Sequence, residues 1–202
     1  LLMQDVGSCN SYVRALAVWS GALAGLMMMV VGGLTPSSLI LPTLDFTPKV
    51  FPLASTWQVP SLLLSALVCG PRAAVMAAVA YLTIGLLHIP IFHGGGGLDY
   101  LTTPSFGYLT GFIPAAWLSG RLAQRININD LPSLTLCVLA GIIALHLWGG
   151  GYLILGSAMG IWQDQLPELL FSYSFAPLPA QIILCPAVGI ISIAFRRVLF
   201  IE

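Results

Sequence analysis

The chain has 202 residues, 58% of them hydrophobic and 7% charged, with a mean hydropathy of +0.96 and a formal net charge of zero. About a quarter of the residues in a soluble domain are charged, so this composition excludes a water-soluble globular protein and predicts an integral membrane protein. The four cysteines (Cys9, Cys69, Cys137 and Cys185) stand far apart with no CxxC or Cys/His metal spacing, and three lie in apolar runs that predict buried, inert thiols.

A bilayer core of about 30 Å takes roughly 20 helical residues to cross. The first such run is 12–33. Its first basic residue is Arg14 and its apolar character continues through Leu34, which predicts a retained span rather than a signal peptide. The second predicted helix, 56–70, stops at the Gly70-Pro71-Arg72 turn. A third follows over 73–92, with Pro90 near its end, and the remaining spans are 106–120, 133–155 and 179–199. Continuous apolar runs, rather than alternating ten-residue segments, predict helices whose backbone satisfies its own hydrogen bonds in lipid. The expected fold is an all-α membrane protein, one six-helix domain over 1–202 with no internal repeat.

The basic residues orient these helices. With the N-terminus inside, Arg14, Arg72, Arg121, Arg125, Arg196 and Arg197 are cytoplasmic and only Lys49 of the seven basic residues lies outside. Both termini are then cytoplasmic in a multi-pass plasma-membrane protein. Asp45, Asp99, Asp164 and Glu168 lie outside.

That topology puts Gln58, His88, Asp99, Thr103, Tyr108, His146, Trp148 and Gln181 in the outer halves of helices or in outer loops. Polar groups at membrane depth are costly and usually face a bundle interior or cavity. Gathered at one depth, they predict a pocket opening outward; singly, each also fits an interfacial residue meeting headgroups and water. The glycine run Gly94–Gly97 suits a flexible outer lid, with a binding edge over Thr102–Tyr108, or else a plain surface linker.

Several motifs carry a family resemblance. Thr56-Trp57-Gln58 stands eleven residues before Gly70-Pro71-Arg72, and GLLHIPIFHGGGG spans Gly85–Gly97. Thr103-Pro104-Ser105-Phe106-Gly107-Tyr108-Leu109-Thr110-Gly111-Phe112 follows, and the fifth predicted helix carries His146-Leu147-Trp148-Gly149. The chain resembles the BioY family, the biotin-binding substrate-specific (S) components of energy-coupling-factor (ECF) vitamin transporters. The last helix of that family opens Pro-Gly-Asp, with Lys three residues on. Pro179-Ala180-Gln181 and Leu184 stand here instead, and Thr103 and Phe106 replace two glycines of the loop motif.

The resemblance implies biotin as the ligand, with another small vitamin-like molecule as the alternative. It implies substrate-binding roles for Thr56, Gln58, Thr103, Gly107, Tyr108, His146, Trp148 and Gln181. Catalytic residues, cofactors and metals are not expected. Ala17, Gly21 and Gly25 form a small-residue stripe that allows close helix packing. By resemblance it meets the ECF transmembrane coupling protein; read from the residues alone, it serves internal packing as readily. The chain has no Walker A motif, so ATP is expected to act only through two partner ATPase subunits. Membrane lipid is the other expected partner, and nucleic acid is not among them.

Three rival classes are weaker. His88, His93, Asp99 and His146 offer metal-type ligands for an intramembrane enzyme, but there is no HExxH or paired-carboxylate motif. No span carries the charges or filter-like run of a channel. A non-transporting membrane scaffold would be separated by its failure to bind ligand.

Overall fold

The computed structural model describes residues 2–42, 48–87, 89–92, 95–126, 130–162 and 165–199. In chain order they form α1 (Leu2–Leu34), β1 (Pro36–Pro42), β2 (Pro48–Thr56), α2 (Gln58–Leu86), a 3-10 turn (Leu98–Thr102), α3 (Pro104–Thr110), α4 (Phe112–Ala123), α5 (Leu131–Ala158), α6 (Leu166–Leu170), a π turn (Phe171–Phe175) and α7 (Leu178–Val198). The protein is predominantly helical, and among the described residues four segments are long and apolar enough to cross a membrane: Tyr12–Leu34, Gln58–Leu86, Leu131–Ala158 and Leu166–Val198.

The second of these segments is folded in half. Gly70 takes φ 84 and ψ 170 inside α2, a left-handed conformation that favours glycine. Gln58 Nε2 donates to the Tyr81 hydroxyl at 2.8 Å, although a straight helix would separate the two residues by about 35 Å. Gly25 of α1 likewise faces Ser65 and Ala77 together. The limbs 58–69 and 71–86 therefore run antiparallel, and the Gly70-Pro71 turn divides them where the sequence places the boundary between 56–70 and 73–92. The first limb is buried almost all round, Ser61 to Val68 without a break, as expected of a helix apolar on every side.

Helix α1 packs chiefly on α2. Its outer face presents Tyr12, Leu16, Trp19, Leu23, Met27, Val31 and Leu34, a stripe suited to lipid. Gly21 and Gly25 are buried on the opposite face, where a Cβ on Gly21 would come 2.9 Å from the Cβ of Cys69. Close approach to α2 thus accounts for both glycines, while Ala17 is exposed.

Other boundaries differ from the sequence-based ones for local reasons. The third helix ends at Leu86, not residue 92, because the chain folds back and lays the Phe92 ring against Gly85, which has no Cβ to oppose it. The predicted span 106–120 is two helices, 104–110 and 112–123, joined at Gly111; Pro114 lacks the N–H that would bond Thr110 there. The segment 36–56 forms an antiparallel hairpin pairing Leu39 with Phe51 and Pro42 with Pro48.

Candidate ligand-binding site

Four of the eight predicted polar residues, Gln58, Tyr108, His146 and Gln181, fall into two buried groups. In the first, Gln58 bonds Tyr81, whose hydroxyl donates in turn to the Ile91 carbonyl at 2.8 Å. Tyr81 is fully buried and contacts Phe92 and Phe112. This chain of bonds ties both limbs of α2 to the returning segment 89–92. The glycine run shares in the same packing. Gly97 donates its N–H to the Gly85 carbonyl at 2.8 Å, and a Cβ on Gly96 would lie 2.6 Å from the Ile89 carbonyl oxygen. Gly96 therefore permits close backbone packing against the end of α2, and Gly97 takes φ 97, in a run whose sequence suited a flexible outer lid or a plain surface linker. Gly94, His88 and His93 lie outside the described residues, as do Asp45 and Asp164.

The second group joins α3, α5, α7 and the π turn. His146 Nε2 lies 2.9 Å from Gln181 Oε1. Because that oxygen only accepts, Nε2 carries the proton and a neutral ring presents Nδ1 as an acceptor. Among the described residues, His146 Nδ1 is buried with no hydrogen-bond partner. An orphaned buried polar atom is uncommon in a folded protein and calls for an explanation. The Tyr108 ring stands edge-on to His146 at 5.8 Å and stacks on Tyr173 at 5.9 Å. Its hydroxyl shares a 2.5 Å hydrogen bond with Ser174 Oγ.

Two glycines hold these rings in place. Where Gly149 would carry a Cβ, the Tyr108 ring lies 2.3 Å away, and at Gly107 the Tyr152 ring lies 2.4 Å away. Each of α3 and α5 therefore receives a tyrosine of the other into a gap left by glycine. Tyr152 also donates its hydroxyl to the Leu101 carbonyl at 2.6 Å.

The remaining predicted residues are peripheral. Thr56 ends β2 and is half-buried. Thr103 donates to the Tyr100 carbonyl at 2.6 Å and meets Ser105 at 3.1 Å, fixing the start of α3. Burial raises the Tyr100 phenol above its ordinary pKa, against the hydrogen bond from Ser105, so it stays neutral. Trp148 is exposed, its indole N–H on Thr110 Oγ1 at 3.2 Å. Among the described residues no group of three His, Cys, Asp or Glu side chains gathers.

Leu184 is buried, lining a narrow gap with Gln181, Val59 and Pro60, so no cation stands in the position given to lysine in the family. Ser174 and Tyr173 close over Tyr108 but were not among the sequence candidates; the only signal was the aromatic-serine alternation of FSYSF before Pro177.

The family model described as BioY family matches residues 11–200. An uncharacterized 21.2 kDa protein of Cyanophora paradoxa is 27% identical over 186 residues, 90% of this chain and 95% of that protein. A probable biotin transporter BioY of Lysinibacillus sphaericus is 30% identical over 107 residues, 53% of this chain and 54% of its own length. The biotin transporter BioY of Rhizobium etli is 25% identical over 158 residues, covering 74% and 80%. Among solved structures, an S-component for biotin from an ECF-type ABC transporter superposes with a TM-score of 0.68 and 21% identity over 93% of each chain, which shows the shared fold. The family match runs through every described helix and both buried polar groups, and the chain belongs to the BioY family.

Proposed function

We propose that this chain is the substrate-binding S component of an ECF-type transporter and that it takes up biotin. Family membership and the names of the relatives support the reading. The family and fold are those of a transporter component and not of an enzyme. The observation that carries the site is the orphaned Nδ1 of His146, an acceptor buried beside Tyr108 and Gln181. Biotin's ureido ring offers N–H donors of the matching kind, and aromatic faces suit the rest of the molecule. The ring enters when the π turn bearing Tyr173 and Ser174 moves off Tyr108; π turns are frequent at functional sites.

The carboxylate of biotin finds no buried cation at this level. Arg196, the buried cation of α7, is fifteen residues beyond Gln181, about 22 Å along the helix. A charge-assisted bond is about twice as strong as a neutral one, so its absence predicts weak discrimination at the carboxylate end. Calorimetric titration is expected to give a neutral biotin amide an affinity within about tenfold of that of biotin, a gap of about 1.4 kcal/mol. A strong preference for the free acid would place the carboxylate on protonated His146 instead, and failure of both to bind would point to another small vitamin-like molecule.

The working assembly adds a transmembrane coupling protein and two ATPase subunits, since the sequence has no nucleotide-binding motif of its own. In the plasma membrane the chain makes six crossings, the two limbs of α2 counting separately, with both termini cytoplasmic. The arginine distribution supports this topology. A cysteine placed at Arg125, in a background with the native cysteines changed to alanine, should resist a membrane-impermeant maleimide applied from outside. Rapid external labelling there would reverse the orientation.

A further inference from the structure

We propose that a groove between α1, the turn of α2 and α4 is a binding site for the phosphate headgroup of an anionic glycerophospholipid. The groove has a volume of about 1060 Å³ and lies at the end of the molecule remote from His146, with Arg14, Arg72 and Arg121 contributed by three different elements. Among the described residues no carboxylate lines it and none of the three guanidinium groups forms an ion pair. Among those residues, three like charges thus face one cavity without a counter-ion, an arrangement that an anion relieves. Arg121 is held over the Trp117 ring at 5.7 Å. Gly70, Pro71 and Arg72 also line the groove, so the N-terminal turn of the 71–86 limb, the positive end of its dipole, adds to the same field.

The remaining walls select a lipid over a free anion. Trp19 and Trp117 flank the arginines and are both well exposed. Tryptophan so placed marks the level of the headgroups, and the groove continues onto the apolar outer stripe of α1. A ligand with a charged head and an apolar tail fits both parts at once; basic pockets between helices hold anionic headgroups in this way. This site is independent of biotin and of the ligand cluster.

Native mass spectrometry of the 202-residue chain in detergent tests the proposal, with dioleoyl phosphatidylglycerol and dioleoyl phosphatidylcholine as probes. Phosphatidylglycerol should be retained in preference to phosphatidylcholine. The Arg14→Gln, Arg72→Gln, Arg121→Gln triple variant should lose that occupancy by about tenfold or more, since each charge acts on the headgroup. The corresponding Arg→Lys triple variant should keep most of it, and Arg125→Gln, outside the groove, should match the wild type. If the Gln triple variant misfolds, the single Arg→Gln variants and the Lys triple decide by the same occupancy measurement. Equal retention of both lipids, or no loss in the Gln variants, would overturn the site. Displacement of phosphatidylglycerol by millimolar inorganic phosphate would overturn the lipid in favour of a soluble anion. Capture of a hexaglutamate peptide with phosphatidylglycerol unbound would overturn it in favour of an acidic protein segment.

Discussion

Substituting His146 with Leu is expected to lower biotin affinity about a hundredfold, close to 3 kcal/mol. The leucine fills similar space but removes the buried acceptor Nδ1 proposed to receive a ureido N–H. It also strips Gln181 Oε1 of its 2.9 Å partner, and an unsatisfied buried acceptor costs about 1–3 kcal/mol. Asn at the same position keeps a donor and an acceptor and should recover part of the loss. The measurement is calorimetric titration of the purified chain, with thermal unfolding alongside to separate binding from folding. Unchanged affinity in a folded His146→Leu protein would move the ligand elsewhere.

Arg196→Met should cost about 3 kcal/mol of stability, from a lost hydrogen bond to a charged group and an orphaned carbonyl. The reason lies in the turn of α2. The carbonyl of Leu67 would accept from the N–H four residues on, but that residue is Pro71, which has none. Arg196 supplies the missing donor, with Nε at 2.8 Å from the Leu67 oxygen and Nη2 bonded to the same atom. It is a cation at the C-terminal end of the 58–69 limb, where the dipole favours positive charge, and it pins α7 to the turn. Thermal unfolding in detergent reads the effect; a variant as stable as the wild type would mean that water or another group satisfies Leu67.

Much of this was legible in the sequence because the signals were local or strongly periodic. The Gly70-Pro71-Arg72 turn announces itself through backbone chemistry alone, and the long apolar runs give α5 and α7 to within a few residues. Of the polar side chains singled out, Tyr108, His146 and Gln181 come together, while Gln58 joins Tyr81 and Thr56, Thr103 and Trp148 stand apart. Their closure by Tyr173 and Ser174 was not legible, since serine and tyrosine at a span's end serve headgroups equally well. The hairpin 36–56 was hidden by its prolines, which interrupt the alternation that marks a strand. Nor could the stripe of Gly21 and Gly25 name its neighbour: small residues permit close packing without specifying which helix provides it, and here α2 does.

The dependence of α1 on α2 has a consequence for biosynthesis. The main packing surface of α1, on α2 with a small contact on β2, lies on residues no later than Leu86. Chains emerge N-terminus first and assemble in the order they are made. The first 86 residues can therefore settle in the membrane as a preformed unit while the ribosome is still delivering α5, and the later helices dock onto the exposed side of the 58–69 limb. Arg196 reaches Leu67 only once α7 has been made, so the bond that caps the turn forms after the helices that precede α7 have been delivered.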